Sequence, residues 1–355
     1  NGFVPSWDQI YQWVGLEPSQ SETTAPLPEG ETEVVFLDVG QGDSFLLRTQ
    51  EQTVLIDTGE AEYADTVVGA LKEYGVEQLD LVIATHMHSD HMGGMAEVLE
   101  AVPAKTFIMT ELPEDLTPTS RVYENLLTAL EQSPETEVIP AQPGDRYSLG
   151  DGVTLTILGP VADYDDLNLT SVVCRVDAGD RSFLFTGDME KKAENDLIAA
   201  GADLSADVLK VGHHGASTSS TADFLAEVDP VCSVISVGEG NSYGHPTAAT
   251  LERLNEYGPV YRTDLLGEVA RHAAVDHRFD ARVAGIVVVD EPLAVLDAQQ
   301  ALFRHVAADA DDDFVEEVQR LLDDRFVAAR EGIERSRENG CFHPSLWVYC
   351  RQRYE

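Results

Sequence analysis

Cysteine is scarce in this chain, with 4 in 355 residues. Cys174 and Cys232 sit in apolar, strand-like runs where a thiol behaves as a small buried hydrophobe. Cys341 and Cys350 are left as a candidate disulfide pair, so cysteine usage neither requires nor excludes an oxidising compartment. No apolar run approaches the length of a membrane span. No repeat of solenoid period is present. Basic residues are few: 23 Lys and Arg face 64 Asp and Glu, a formal net charge of -41. Such a surface repels nucleic acid, whose binding draws on phosphate neutralisation by Lys and Arg. That counts against a tight grip on duplex DNA. It leaves room for phosphodiester cleavage where bound cations supply local positive charge. Adaptation to high salt, or solubility at a cell surface, is the simplest source of the charge.

Histidine is also uncommon, with 10 in the chain, yet three of them stand in Thr85-His86-Met87-His88-Ser89-Asp90-His91. Imidazole nitrogen and carboxylate oxygen at this density suit a catalytic zinc, manganese or iron site. The apolar run Leu79 to Ala84 precedes it, so the ligand-rich part is expected at the carboxyl end of a strand. Three further apolar runs end in the same manner. Thr53 to Ile56 delivers Asp57, Ser182 to Phe185 delivers Gly187-Asp188, and Val208 to Val211 delivers His213 and His214. Metal-competent residues at four strand ends imply one shared rim, and their spacing suits two adjacent cations better than one.

These motifs, in this order, resemble the metallo-β-lactamase superfamily of hydrolases. Val35-Phe36-Leu37-Asp38-Val39-Gly40-Gln41-Gly42-Asp43-Ser44, Lys210-Val211-Gly212-His213-His214-Gly215 and Tyr243-Gly244-His245-Pro246 narrow the likeness. They resemble the hydrolase domain of ComEC-type DNA-uptake proteins and its stand-alone secreted relatives. The resemblance covers about Glu33 to Val269. It implies an α/β (α+β) fold, the four-layer αββα sandwich, and two divalent metal ions, zinc or manganese. By the same resemblance His86 and His88 would hold one metal. Asp90, His91 and His213 would hold the other, with Asp188 bridging and His214 as the alternative to His213. Asp57 would sit behind them, accepting an imidazole N–H to orient a ligand. Asp90 and His245 are the catalytic candidates, His245 as the acid for the leaving oxygen. Asn241 and Tyr243, in the Gly-rich loop before His245, and Ser171 are candidate substrate contacts. One departure stands out: no histidine occurs between His91 and His213. Asn168 stands where a further ligand would be, which leaves the first metal to oxygen donors such as water and substrate.

Residues 33–269 therefore read as the hydrolase domain, 1–32 as an N-terminal segment and linker, and 270–355 as a mostly helical C-terminal extension. Pro18 to Glu33 is rich in Ser, Thr, Pro and Glu and reads as a linker. Trp7, Ile10, Tyr11, Trp13 and Val14 have the spacing of a short amphipathic helix, with docking on the domain or simple disorder favoured over membrane contact. The chain begins at Asn1, so a signal peptide, a membrane tether or a larger membrane domain is expected upstream, with export to the cell surface. Beyond Val269, where no Lys occurs, the pattern offers a strand from Val283 to Val289 and helices from Ala298 to Ala307 and from Phe314 to Arg335. The acidic run Asp309 to Asp313 lacks the glycine and spacing of an EF-hand and reads as a solvated helix start.

The expected activity is metal-dependent phosphodiester hydrolysis, with single-stranded DNA as substrate. A choline-phosphate esterase or another cell-wall phosphoesterase is the alternative enzyme, and a binding module with structural metals the alternative without chemistry. Structural metal sites are closed and rarely bimetallic, which weighs against the last.

Overall fold

Short β-branched and aromatic runs, separated by turns bearing Gly and Asp, lay down the strands of two sheets. The computed structural model describes residues 27, 30–150, 152–273, 280–283 and 286–288, with side chains described as far as Val269. These all belong to one unit, Gln20–Asp290. The helix expected around Trp7 to Val14, most of the linker, the helices expected beyond Ala298, the acidic run and the Cys341 and Cys350 pair lie outside the described residues.

The first sheet begins with β1 (Thr32–Phe36), β2 (Phe45–Arg48), β3 (Thr53–Ile56), β4 (Leu79–Ala84), β5 (Ala104–Met109) and β6 (Glu137–Pro140). The second is built from β7 (Arg146–Ser148), β8 (Thr154–Gly159), β9 (Val173–Ala178), β10 (Arg181–Phe185), β11 (Val208–Lys210), β12 (Cys232–Ile235) and β13 (Val260–Arg262). The chain then rejoins the first sheet with β14 (Val269–Ala273), β15 (Asp280–Val283) and β16 (Ile286–Val288), and β14 pairs antiparallel with β1. The first sheet thus runs past Val269, where the sequence reading ended the hydrolase domain. The single strand expected over Val283 to Val289 is instead a hairpin, with Val283 opposite Ile286.

Alternation along the strands sends one face of each sheet inward. Val34, Phe36, Leu47, Val54 and Ile83 meet Leu155, Cys174, Val176, Phe183 and Val234 in the layer between the sheets. Phe36, Phe45 and Phe185 cluster there with ring centroids 5.1, 6.1 and 5.4 Å apart, each pair adding about 0.5–1.5 kcal/mol beyond burial. The outer face of the first sheet is covered by α1 (Ala64–Glu73), α3 (Met95–Ala101) and α4 (Arg121–Gln132), with the short α2 (Ser89–Met92) between the first two. The outer face of the second is covered by α5 (Lys191–Ala200), α6 (Ala222–Val228) and α7 (Ala248–Asn255). The result is the expected four-layer αββα sandwich.

Parallel pairing is what gathers the site. β3 runs parallel to β4, and β10, β11 and β12 run parallel to one another. Parallel neighbours present their carboxyl ends on one edge, where ligand sites form in layered sheets. Asp57, the His86–His91 segment, Asp188, and His213 with His214 all follow those ends.

Candidate metal centre

Ligand atoms of Asp90, His91, Asp188 and His214 all lie within 4.8 Å of one another. His91, Asp188 and His214 are buried, whereas Asp90 is half-buried at the opening. Each of the two imidazoles is aimed from behind. His91 shares its Nδ1 proton with Asp57 Oδ2 at 2.8 Å, and its Nε2 faces Asp188 Oδ1 at 3.2 Å. His214 Nδ1 lies 2.9 Å from the Ser236 carbonyl, and its Nε2 lies 3.3 Å from Asp90 Oδ2 and 3.6 Å from Asp188 Oδ2. An imidazole that donates through Nδ1 presents the Nε2 lone pair, the arrangement found behind metal-binding histidines.

His91 Nε2 and Asp188 Oδ1 are buried without a hydrogen-bond partner. Leaving buried polar groups unmatched costs about 1–3 kcal/mol each. A cation seated among these four side chains relieves that cost, so the donor set fits a divalent metal. Electrostatics agree. Burial alone depresses an imidazolium, but Asp188, Asp43 and Asp57 outweigh it and hold the His91 pKa well above its ordinary value. His214 is also raised, with burial opposed by Asp188, Asp90 and Asp43. Burial works to raise Asp188, yet His214 and His91 hold it well below the usual carboxylate range.

Backbone strain concentrates here. Asp57, His213 and His214 have φ of 58°, 48° and 52°, a left-handed conformation that costs a non-glycine residue about 1–2 kcal/mol. Asp57 is fixed in it by three bonds: it accepts from Thr85 N at 2.8 Å and Thr85 Oγ1 at 2.6 Å, and its own carbonyl accepts from Ser44 Oγ at 3.1 Å.

The two left-handed residues in succession also decide between neighbours. They turn His214 into the cluster and His213 to the rim, where its side chain is 25% exposed. His213 Nδ1 meets Glu190 Oε1 at 3.0 Å, and its Nε2 stays 3.7 Å from Asp188 Oδ2. The preferred partner for Asp90 and His91 is thus corrected from His213 to His214. His86 and His88 lie on the other side. His86 Nε2 is 2.9 Å from His88 Nδ1, a separation open to two ligands of one cation, and the His86 ring packs at a tilt of 52° against His91, 4.2 Å between centroids. Burial first, and then His91, push the His86 pKa well below its ordinary value.

Two candidate substrate contacts hold the frame instead. Ser171 is buried; its Oγ donates to the Asn168 carbonyl at 2.7 Å and accepts from Asp188 N at 3.0 Å, which fixes Asp188. Asn241 braces its own loop, bonding Gly238 O at 3.1 Å, His245 O at 2.7 Å and His245 N at 3.1 Å. Asn168 Oδ1 is buried without a partner, and its Nδ2 lies 3.5 Å from Glu190 Oε1. Tyr243 is 70% exposed and stacks on His245 at 5.9 Å. The His245 ring comes within 5.6 Å of His213, and burial with the His213 and His214 charges lowers its pKa.

Sequence reasoning overlooked Asp43 and Lys210. Both are fully buried and form an ion pair beneath the cluster. Asp43 lies 3.5 Å from His214 Nδ1 and 3.6 Å from His91 Nδ1; Lys210 Nζ donates to Gly187 O at 2.9 Å and stands 3.9 Å from Asp188 Oδ1. Burial raises the Asp43 pKa despite Lys210. The Gly-Gln-Gly-Asp-Ser motif is therefore a support for the metal loop. A Cβ on Gly42 would meet Asp90 O at 2.4 Å, and Asp43 N donates to that oxygen at 3.1 Å.

A cleft of about 850 Å³ opens beside Asp90, lined by Asp38, Glu60, Glu62, Glu239 and Asp264 with Tyr63 and Tyr243. No Lys or Arg is among its lining residues.

Residues 37–239 match the family model for the metallo-beta-lactamase superfamily. The chain is 37% identical over 246 residues to a protein named competence protein ComA from Neisseria gonorrhoeae, covering 68% of this chain and 32% of that one. It is 30% identical over 278 residues to ComE operon protein 3 of Bacillus subtilis, covering 73% and 34%. It is 32% identical over 246 residues to recombination protein 2 of Haemophilus influenzae, covering 67% and 28%. The chain spans about a third of the length of these relatives.

Proposed function

This chain belongs to the metallo-β-lactamase superfamily, and from that premise we propose that it is a metal-dependent phosphodiesterase whose substrate is DNA, taken as a single strand. The observation that carries the hydrolytic reading is the buried quartet Asp90, His91, Asp188 and His214, with its unmatched inward-facing atoms. A pair of divalent cations, when bound, supplies an activated water and charge stabilisation for the phosphorane-like transition state. In this reading His86 and His88 would hold one cation, Asp90, His91 and His214 would hold the other, and Asp188 would serve both. His213 takes the place at the rim, tied to Glu190. His245, its ring 5.6 Å from that of His213, is the candidate to pass a proton to the leaving oxygen, and with its lowered pKa it would have to gain that proton during the reaction. The choice of DNA draws on the names of the relatives, which speak of competence and recombination. The Ser-, Thr-, Pro- and Glu-rich stretch 18–33 supports a tethered position at the cell surface.

A specific observation favours one other substrate class. The cleft beside Asp90 is acidic and carries two tyrosines, which suits a cationic head group better than a phosphate backbone. A choline-phosphate ester of a cell-wall polymer combines that cation with a scissile phosphoester.

The deciding experiment is a panel of single-stranded DNA, duplex DNA, a generic phosphodiester, a choline-phosphate ester and a β-lactam, each with the zinc- and the manganese-loaded protein. Turnover of single-stranded DNA above the other substrates is expected. Preference for the choline ester would replace DNA as the substrate, and absence of turnover on every ester by protein that has bound metal would overturn the enzyme reading.

A further inference from the structure

A second, smaller cavity of about 430 Å³ is lined in part by Glu190, the partner of His213. Its walls carry Lys191, Lys192 and Arg253 together with Ser217, Thr218 and Thr221. In a chain with 23 basic residues against 64 acidic ones, this concentration of base and hydroxyl runs against the composition. Among the described residues Lys191 forms no ion pair, while Lys192 Nζ lies 4.0 Å from Asp165 Oδ1 and 5.1 Å from the centroid of the Tyr164 ring.

The walls are rigid. Arg253 Nε donates to Ser220 O at 2.9 Å, and Nη2 donates to Ser219 O and to Thr250 Oγ1, each at 3.1 Å. From the other side, buried Glu194 accepts from Ser220 N, from Thr221 N at 3.1 Å and from Thr221 Oγ1 at 2.6 Å. That brace holds Ser220 in a left-handed conformation with φ 53° and leaves Ser217 and Thr218 exposed on the cavity wall. Helix α5 begins at the same cavity; its N-cap residue, Glu190, makes no side-chain capping bond, and its first amide, Lys191 N, donates to Thr218 O at 3.0 Å. Peptide N–H groups in the first turn of a helix favour an anion. Glu190, the carboxylate in the wall, is already engaged by His213 Nδ1 at 3.0 Å and Thr218 Oγ1 at 2.9 Å.

The connection to the metal centre is short. Glu190 lines the cavity and holds His213, whose Nε2 is 3.7 Å from Asp188 Oδ2. We propose that the Lys191–Lys192–Arg253 cavity is an anion subsite that seats a phosphate group next to the scissile one in a polynucleotide. This rests on the phosphodiesterase reading for its biological meaning, although the anion site itself can be tested apart from it. It also gives a division of labour. One basic cavity sets where the backbone lies, and the acidic cleft keeps further phosphates away, so the substrate is held at one register without a broad basic surface.

The test has two arms on the full chain. In the first, inorganic phosphate is titrated into the metal-loaded protein while backbone amide NMR signals of Lys191, Thr218 and Ala222 are followed. Saturable shifts at those amides, weakened roughly tenfold or more in the double variant Lys191→Gln, Lys192→Gln, are expected. Shifts absent from these amides, or unchanged in a double variant with an intact circular dichroism spectrum, would overturn the subsite. In the second arm kcat/KM is compared for a short oligodeoxynucleotide and for a single-phosphate diester. The double variant should lower the ratio of the two values about tenfold, chiefly through KM for the oligonucleotide. An unchanged ratio would reject a polynucleotide phosphate as the occupant. Phosphate shifts that behave as expected in a protein that never cleaves DNA would leave the anion site standing and reject the DNA substrate alone.

Discussion

The buried quartet and the His86–His88 pair occupy the same strand edge, yet they are built differently. In the quartet every ring has a partner on its far side: Asp57 behind His91, the Ser236 carbonyl behind His214, and Asp43 with Lys210 beneath both. In the pair, His86 meets Thr85 Oγ1 at 3.3 Å and His88 at 2.9 Å, and His88 is half-buried at the opening. A ligand held by a second tier of bonds is set before a cation arrives, as His86 partly is through Thr85 and Asp57, whereas the half-buried His88, bonded among the described residues only to His86, must be ordered by binding itself. The difference predicts two unequal cation sites, the quartet's tight and the pair's weak and exchangeable.

The largest effect is expected where the two sites meet. Asp188→Asn should remove turnover down to background and weaken both cations, with circular dichroism unchanged because the αββα core rests on apolar burial. His88→Ala should also abolish turnover while sparing the quartet's cation. Metal analysis of the His88 variant showing neither cation bound would collapse the two sites into one. Next in size is Asp57→Asn, which tolerates the left-handed backbone but loses the charge behind His91. It should lower the affinity of the quartet about 10–100-fold and leave the pair unaltered, read by calorimetric titration. A uniform loss at both sites would count against separate support.

The response to pH should separate the sites further. His91 and His214 have raised pKa values without metal, so a cation entering the quartet competes with protons up to a higher pH than it would at an ordinary imidazole. Its affinity should fall as pH drops from 8 to 6, by up to about tenfold per unit for each proton displaced. His86 has a lowered pKa and keeps its lone pair through that range, so its contribution to the pair stays constant with pH. Equal slopes at both sites would remove the distinction. The smallest effect is expected from Asn168→His, which should tighten the weak site several-fold if the side chain faces the pair. Manganese, which tolerates oxygen-rich coordination, should support activity in the unaltered protein at least as well as zinc. Two zinc ions of equal affinity with no response to manganese would break the comparison.

Residues contiguous in the chain were the legible part of this site. His86 to His91 could be read because the strand before them and the ligand types within them occupy one short segment. The choice between His213 and His214 could not, since it depends on two successive left-handed residues that histidine rarely adopts and that no pattern announces. Asp43 and Lys210 were hidden for another reason. Lysine is not a metal ligand, and its pairing with Asp43 exists only once two sheets are stacked. In the fold, the four apolar runs that end in candidate ligands appeared as strands within one residue of their observed bounds. α4 is an exception that carried a signal: Ser120 accepts from Tyr123 N as an N-cap, and Tyr123, Leu126 and Ala129 form a buried stripe. The three-residue strands β7 and β13 are too short for alternation to mark.

The pairing of β1 with β14 sets a schedule for the birth of the molecule. Thr32 finds its partner Ala273 only after roughly 240 further residues have been made. Until then one flank of β1 is an unmatched edge carrying Val34, Val35 and Phe36, the kind of edge that recruits other chains. A ribosome-bound chain therefore carries its first sheet open until β14 has emerged, and closure of that sheet waits on the whole second sheet. Any disturbance of β14 would be felt first as a loss of yield during production, before it was felt at the metal centre.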